Sequence, residues 1–219
     1  MTSVMSKVAL LEHMGSDLTV VNAARVSYGK KKEALDEKDE KLIQYLAKHG
    51  HWTPFGHCMA QFHIKAPIFV ARQLVKHQVG LVWNEISRRY VDDRVETFSP
   101  KEWRGRPGEG KSKQGSSGTI EDPVCAFDVY WDATKHAKAV YEKLLALGVA
   151  PEQARIVLPV STYTEWYWTG SLAAWARVCN LRIKADVQLE TREVAQDIAI
   201  QMEQVFPISW RALRGQSTP

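Results

Sequence analysis

Residues 76–90, KHQVGLVWNEISRRY, place polar and charged side chains on both sides of a short apolar run. In an extended segment alternate side chains share a face, so Glu85, Ser87 and Arg89 would lie together, with Ile86 on the other side. A guanidinium beside a hydroxyl suits a phosphate, and a carboxylate can accept a sugar hydroxyl or hold the arginine in place. These residues therefore indicate either a nucleotide site or a solvated strand face with a surface salt bridge.

The segment before the run has the pattern of an amphipathic helix. Pro67 suits the first helical position, and the helix is expected to continue to about Gln78. Its polar side would carry two i,i+4 pairs, Arg72 with Lys76 and Gln73 with His77. The sequence thus predicts a second polar surface in front of the apolar run.

Other chemically capable residues are less informative by themselves. The stretch KHGHWTPFGH contains three histidines but no cysteine at ligand spacing, so we expect no metal site. Arg155 and Arg182 each stand beside an apolar run, where an arginine either pairs with a carboxylate or binds a substrate anion. The chain has no P-loop, no GxGxxG that opens a helix after a strand, and no GxSxG.

Composition narrows the class of protein and its partners. The 219 residues are 45% hydrophobic and 25% charged, which is ordinary for one globular domain, and the net charge of +4 favours an anionic partner. No apolar run reaches bilayer length, so we expect no membrane association. Three cysteines without paired spacing argue against a disulfide framework and predict a cytoplasmic protein.

The predicted elements are mostly long helices with few strands, which indicates the α+β class. Strands are expected at 8–13, 59–65, 85–91 and 161–168, with 94–98 pairing with 85–91. Helices are expected at 18–26 with Asp17 as N-cap, and at 36–49, 67–78, 122–147, 151–157, 172–183 and 188–205. We expect a single domain over 1–219, interrupted by a basic, Gly- and Ser-rich loop at about 101–120.

Several blocks, in this order, resemble the flavin-dependent thymidylate synthases. They are NAARVSYG, LIQYLAKHGHWTPFGH, KAPIFVARQLVKHQ, NEISRRY, EQARIVLPVSTYTEWYWT and NLRIKADVQLETREVAQDIA. The resemblance extends from about Asp17 to Phe206. It implies an α+β fold particular to that family and a homotetramer with active sites between subunits. It also implies FAD as cofactor, NADPH and methylenetetrahydrofolate as co-substrates, and dUMP as the pyrimidine that is methylated.

The resemblance also assigns site residues. For dUMP these are Gln73, Lys76, Glu85, Ser87, Arg89, Arg155 and Arg182. Arg182 is the catalytic candidate, because a fixed guanidinium at the uracil N3–C=O edge stabilises negative charge and makes C5 more nucleophilic. For FAD they are Ser27, His51, Thr53, Lys76, His77, Gln78, Glu85, Ser171 and Arg177.

The flavin site departs from the family pattern. The hallmark Arg-His-Arg, seven residues, then Ser is here Lys76-His77-Gln78, eight residues, then Ser87. Ser171 and Ala173 stand where Asn and Arg are usual, Arg177 where many relatives have Asn, and Gly56 where many have Glu. We expect Arg177, Lys76 or the loop residues Arg104, Arg106, Lys111 and Lys113 to supply the missing phosphate donors.

These changes leave three interpretations, of which the sequence favours the first because the dUMP residues are intact. The chain is a divergent synthase, or it runs related flavin and folate chemistry such as hydroxymethylation on another pyrimidine nucleotide, or it binds dUMP without flavin. A basic nucleic-acid-binding protein is the non-enzymatic alternative. The small net charge and the lack of a recognised binding module argue against that alternative, so no nucleic-acid partner is expected.

Overall fold

The computed structural model describes residues 6–91, 94–108 and 115–215. Within them, the largest sheet has four antiparallel strands in the order β1-β2-β6-β3. The strands are β1 (Lys7–Met14), β2 (Met59–Pro67), β3 (Leu81–Glu85) and β6 (Tyr163–Ser171). Two short strands, β4 (Arg104–Gly105) and β5 (Ser117–Thr119), form a separate hairpin.

Helices account for most of the remaining described chain. They are α1 (Asp17–Arg25), α2 (Glu37–Lys48), α3 (Ile68–Leu74), α4 (Pro123–Ala146), α5 (Pro151–Ala154), α6 (Leu172–Arg182), α7 (Leu189–Val205) and α8 (Pro207–Arg214). Short 3₁₀ turns lie at Val26–Tyr28, Thr53–His57 and Arg155–Val157. No helix of the described residues is long and apolar enough to cross a membrane.

One face of the sheet carries the main core. Alternate residues of β2 are buried, and the antiparallel register sets Phe62 opposite Trp168 and Ile64 opposite Trp166. Trp175 from α6 packs edge-on against Phe62 and Trp168, and its indole N–H donates to the Ala60 carbonyl. Burying aromatic rings of this size contributes several kcal/mol, which makes this cluster the foundation that fixes α6 on the sheet.

The α+β class is confirmed, and so are several elements with strong local signals. The first strand, the helix capped by Asp36 and the long helix capped by Asp122 all lie within two residues of their predicted bounds. The Asp36 carboxylate accepts from the backbone N–H groups of Lys38 and Asp39, and Asp122 accepts from Cys125 N. These helix starts are local signals, so the sequence alone predicts them.

The secondary structure around residues 76–90 differs from its prediction. Pro67 ends β2 and caps α3, which ends at Leu74 rather than at about Gln78. The chain then turns through Gly80, whose φ of +75° favours glycine, and enters β3. The end of the apolar run and the two residues after it therefore form the strand in place of residues 85–91, and the residues from Ser87 to Tyr90 form a turn. Pairing of β3 with β6 decides these boundaries.

Two other expectations are wrong, and one helix was not predicted. Residues 94–98 pair with 161–163, through Phe98 N to Ser161 O and a bridge between Thr97 and Thr162, and not with residues 85–91. The N-cap of α1 is Ser16 and not Asp17. The buried carboxylate of Asp17 instead accepts from Ile208 N and Ser209 N at the start of α8, a helix that the sequence analysis did not predict.

The structure describes residues 101–108 and 115–120 of the basic loop predicted at about 101–120. Its described residues contain the β4–β5 hairpin, whereas Lys111 and Lys113 lie outside the described residues.

Candidate nucleotide and flavin site

Gln73, His77 and Arg182 lie together where α3 and α6 end. Arg182 donates from Nε to His77 Nε2 over 2.9 Å and from Nη2 to the Gln73 carbonyl over 3.3 Å. The Gln73 amide donates to Gln188 Oε1 over 2.5 Å. One imidazole and one backbone carbonyl thus orient the Arg182 guanidinium while leaving it cationic.

The electrostatics of this cluster favour the neutral form of His77. Partial burial lowers the pKa of His77, and the positive charges of Arg182 and Arg177 lower it further. A neutral imidazole can accept the Arg182 hydrogen bond on Nε2, whereas a protonated one could not. Partial burial also lowers the pKa of Arg182, a group that remains charged at any physiological pH. The arrangement therefore presents one fixed positive charge beside a neutral acceptor.

Glu85 and Arg155 line a different space, a cleft of about 350 Å³. Glu85 accepts from the Thr164 hydroxyl over 2.6 Å and from the Trp83 indole over 3.2 Å. Arg155 follows Ala154, which is buried in a small second core with Val95. Because Arg94 precedes Val95, the same core brings Arg94 and Arg155 to one cleft.

Charged side chains of both signs line this cleft. Arg88, Arg94 and Arg155 line it among the described residues, while Lys65, on its wall, is held by Glu96 at 2.5 Å and by Glu165 at 3.4 Å. Three guanidinium groups at one concave surface provide donors that can bind an anion.

Ser87 and Arg89 do not continue a strand face with Glu85. The turn brings them into contact with each other, because Arg89 donates from both N and Nε to Ser87 Oγ, over 3.3 and 3.4 Å. The residues that line the cleft beside Glu85 are Ile86 and Arg88. The expected shared face of Glu85, Ser87 and Arg89 is therefore wrong in its geometry, although Ser87 and Arg89 follow Glu85 closely in the chain and flank Arg88.

The turn from Lys76 to Gly80 leads to a third group of expected residues. Arg177 donates from Nη2 to the Val79 carbonyl over 2.8 Å, and a side chain at Gly80 would contact Ala174, Ser171 and Arg177. Ser171 caps α6 by accepting from Ala174 N. Lys76 and Gln78, which replace two arginines of the family pattern, are exposed on this turn.

Arg177 also borders a cavity of about 380 Å³ together with His51 and Trp52. Trp52 is 61% exposed, and Gly56 leaves space against its ring. Ala173 is part of the wall where the family pattern has an arginine. A cavity with an exposed indole, an imidazole and one guanidinium fits a flavin nucleotide, since aromatic faces stack on flat rings and the arginine suits a phosphate.

The remaining described residues that the sequence assigned to the flavin site do not line this cavity. Thr53 begins the 3₁₀ turn that follows Trp52, and Ser27 lies in the turn after α1; both are exposed. Arg104, expected as a phosphate donor, is bound to Glu190 at 2.7 Å and is only 20% exposed, so the structure removes it from that role. Arg106 is exposed.

Within one chain the expected site is divided. The turn at Lys76–Gly80 and the cleft at Glu85 lie at opposite ends of β3, a span of about 13 Å for five extended residues. Gln73, His77 and Arg182 are near the first end, and Glu85 and Arg155 are at the second. A single chain therefore presents two separate half-sites, one at each end of the same strand.

Sequence reasoning missed four residues that the structure brings to these places. Gln188 contacts Gln73, Trp52 borders the Arg177 cavity, and Arg88 and Arg94 line the cleft. An exposed tryptophan within HWTPFGH and a second arginine in SRRY were the available signals. Nothing local indicated Gln188 or Arg94, because both reach the site through contacts between distant segments.

The chain is similar to known proteins over most of its length. A family model described as thymidylate synthase complementing protein matches residues 9–208. The flavin-dependent thymidylate synthase of Thermosipho africanus is 41% identical over 203 residues, which cover 93% of this chain and 88% of that protein. The one from Thermus thermophilus is 40% identical over 205 residues, which cover 94% of this chain and 74% of that protein.

Solved structures show the same fold. The crystal structure of a UMP/dUMP methylase, PolB from Streptomyces cacaoi, bound with 5-Br dUMP, superposes with a TM-score of 0.86 and 31% sequence identity. The match covers 96% of this chain and 95% of that one. The same methylase bound with 5-Br UMP gives a TM-score of 0.83.

Proposed function

The chain belongs to the thymidylate synthase complementing protein family, and on that premise we propose that it is a flavin-dependent thymidylate synthase. It converts dUMP to dTMP, with methylenetetrahydrofolate as the one-carbon donor and NADPH as the reductant of bound FAD. We propose a single catalytic domain and a cytoplasmic location. Cys58, Cys125 and Cys179, all within the described residues, are free thiols, which supports a reducing compartment.

The observation that carries the proposal is the arrangement around Arg182. Its guanidinium is fixed by His77 and the Gln73 carbonyl and is partly buried, so little reorganisation is needed when charge develops on a bound uracil. Held at the N3–C=O edge, this cation stabilises the anionic form of the ring and makes C5 a better nucleophile. Neutral His77 orients the guanidinium without competing for the negative charge.

The other half-site holds the sugar and phosphate. The cleft at Glu85 offers a carboxylate for a sugar hydroxyl and guanidiniums for the phosphate. Because this cleft and Arg182 lie at opposite ends of β3, we propose that a complete site combines the two halves from different subunits. A homotetramer with active sites between subunits satisfies this arrangement, and the separation of the two halves within one chain supports it.

The flavin is proposed to bind beside Trp52, His51 and Arg177. When bound, it supplies the hydride that completes the methyl group. Trp52 provides the stacking surface and Arg177 a positive charge, while Ser171 and the exposed Lys76 and Gln78 border the same turn. Arg177 thus compensates for the arginine of the family pattern that this chain lacks at Ala173.

A direct test follows the absorbance spectrum of the purified protein with added FAD while dUMP is titrated. The proposal expects a bound-flavin spectrum that shifts with dUMP, and formation of dTMP once methylenetetrahydrofolate and NADPH are added. Binding of dUMP without flavin uptake, or a flavin spectrum that dUMP does not alter, would contradict it. Tight DNA binding without flavin would instead favour the nucleic-acid alternative.

UMP is a second candidate substrate. The solved methylase described above is named for both UMP and dUMP and has the same fold at 31% identity. Parallel turnover assays with dUMP and UMP separate the two substrates. We expect dUMP to be preferred, because the relatives at about 40% identity are named as thymidylate synthases.

A further inference from the structure

The β4–β5 hairpin is attached to the body of the protein on two sides. On one side Trp103, which precedes β4, packs edge-on against Phe127 and Tyr130 of α4, with ring centroids 5.9 and 5.4 Å apart. On the other side Arg104 donates from Nη2 to Glu190 Oε1 over 2.7 Å and from Nε to Ser116 Oγ over 2.8 Å. The hairpin therefore joins α4 to the first turn of α7.

The ion pair between Arg104 and Glu190 is well shielded from water. The Arg104 side chain is 20% exposed and that of Glu190 8%. Gly115, beside the hairpin, also lies close to the backbone before α7, since a Cβ added there would meet the Asp186 carbonyl oxygen at 3.1 Å. Removing one partner of such a buried ion pair destabilises the fold, because the other charge is then left unpaired in a low-dielectric environment.

A continuous series of contacts connects this ion pair to the catalytic candidate. Gln188 is the N-cap residue of α7, two positions before Glu190, and accepts from Gln73 Nε2 over 2.5 Å. The Gln73 carbonyl in turn accepts from Arg182 Nη2 over 3.3 Å. Hence any movement at the start of α7 changes the position of Gln188 and, through it, of Gln73 and Arg182.

We infer that Arg104 and Glu190 are positioning residues, and that the hairpin braces the start of α7 so that Gln188 holds Gln73 and Arg182 against the uracil ring. This inference rests on the proposed function and adds to it a role for the β4–β5 hairpin. The brace acts on the base-binding half-site and leaves the phosphate-binding cleft at Glu85 and Arg155 unchanged. It therefore predicts a selective effect on recognition of the base.

The test compares binding of dUMP with that of 2-deoxyribose 5-phosphate, which lacks the base, by calorimetry. In Glu190→Gln and in Gln188→Asn we expect dUMP affinity to fall by roughly tenfold, with the affinity for the sugar phosphate unchanged. Glu193→Gln is the matched control, since Glu193 is an exposed carboxylate on the same helix, and it should bind both molecules like the unaltered protein. Arg104→Lys keeps the charge and should retain most of the dUMP affinity.

The outcomes separate the inference from its premise. If the Glu190→Gln and Gln188→Asn variants bind dUMP like the unaltered protein, or lose both molecules equally, the brace is overturned. Gln188→Asn keeps an amide and does not disturb the ion pair, so unchanged dUMP affinity in that variant overturns the inference even if Glu190→Gln fails to fold. An unaltered protein that does not bind dUMP overturns the proposed function, and the brace with it.

Discussion

Arg182 Nε donates a hydrogen bond to His77 Nε2 over 2.9 Å, although the two residues are 105 positions apart in the chain. This contact joins the end of α6 to the turn that follows α3. It makes the histidine an acceptor and so couples its protonation state to the position of the arginine. A histidine of the expected flavin site thereby becomes a direct contact of the expected catalytic residue.

Protonation of His77 should destabilise the fold in mild acid. Burial and the charges of Arg182 and Arg177 lower its pKa from 6.5, so below about pH 6.5 the unfolded state binds a proton that the folded state resists. The contribution of His77 to the free energy of unfolding is thus fully present above pH 6.5 and is lost as the pH falls below it. Urea denaturation at pH 5.5 and 7.5 should show a smaller pH dependence for His77→Gln than for the unaltered protein. Equal pH dependence would contradict the assignment.

Arg94 should contribute to binding of the nucleotide phosphate. It lines the cleft with Arg155, and its charge is one cause of the lowered pKa of Lys138, after burial. A bound anion would relieve that repulsion. Arg94→Gln should weaken dUMP binding by about tenfold and reduce its salt dependence, while deoxyuridine, which has no phosphate, binds as before.

Arg211→Gln provides the control for charge removal, since Arg211 is an exposed arginine on α8 away from the cleft. It should leave the dUMP dissociation constant unchanged. Equal weakening of dUMP and deoxyuridine in Arg94→Gln would show that Arg94 supports the fold of the cleft instead of the phosphate.

Trp52 should stack on the flavin. Loss of an aromatic stacking surface costs about 1–3 kcal/mol per ring in nucleic-acid complexes, so Trp52→Ala should weaken FAD binding by about tenfold or more. Trp52→Phe keeps a flat ring and should retain most of the affinity. Flavin fluorescence titration measures both. Trp131→Ala, which removes a 44% exposed tryptophan from α4, should leave FAD binding intact; a loss of the same size there would show that the effect is not specific.

Asp17 should stabilise α8 from a distance of more than 190 residues along the chain. Its carboxylate accepts from Ile208 N over 3.0 Å and Ser209 N over 2.8 Å, so Asp17→Ala leaves two helix N–H groups without an acceptor. We expect the free energy of unfolding to fall by about 1–2 kcal/mol, measured by urea denaturation. Glu37→Ala, at an exposed first-turn position of α2, should change it much less, and equal losses would argue against the capping role.

The sequence by itself determined the features that depend on neighbouring residues. The helices with capping residues Asp36 and Asp122, the alternation of β2 and the ordered family blocks all follow from side chains within a few positions of one another. The residue types for phosphate and base recognition were also evident, because chemistry of this kind requires guanidinium, hydroxyl and carboxylate groups. For that reason the class of fold and the family could be predicted without coordinates.

Only the tertiary structure decided where those groups meet. The antiparallel pairing of β3 with β6 makes a strand of Leu81–Glu85, directly after the turn that follows α3, and places Gln73 and Glu85 at opposite ends of that strand. Arg104 binds Glu190, which is 86 positions away in the chain, and Gln73 binds Gln188, which is 115 positions away. Such contacts depend on how whole elements pack on a shared core, and local sequence carries no signal of the partner that packing will supply.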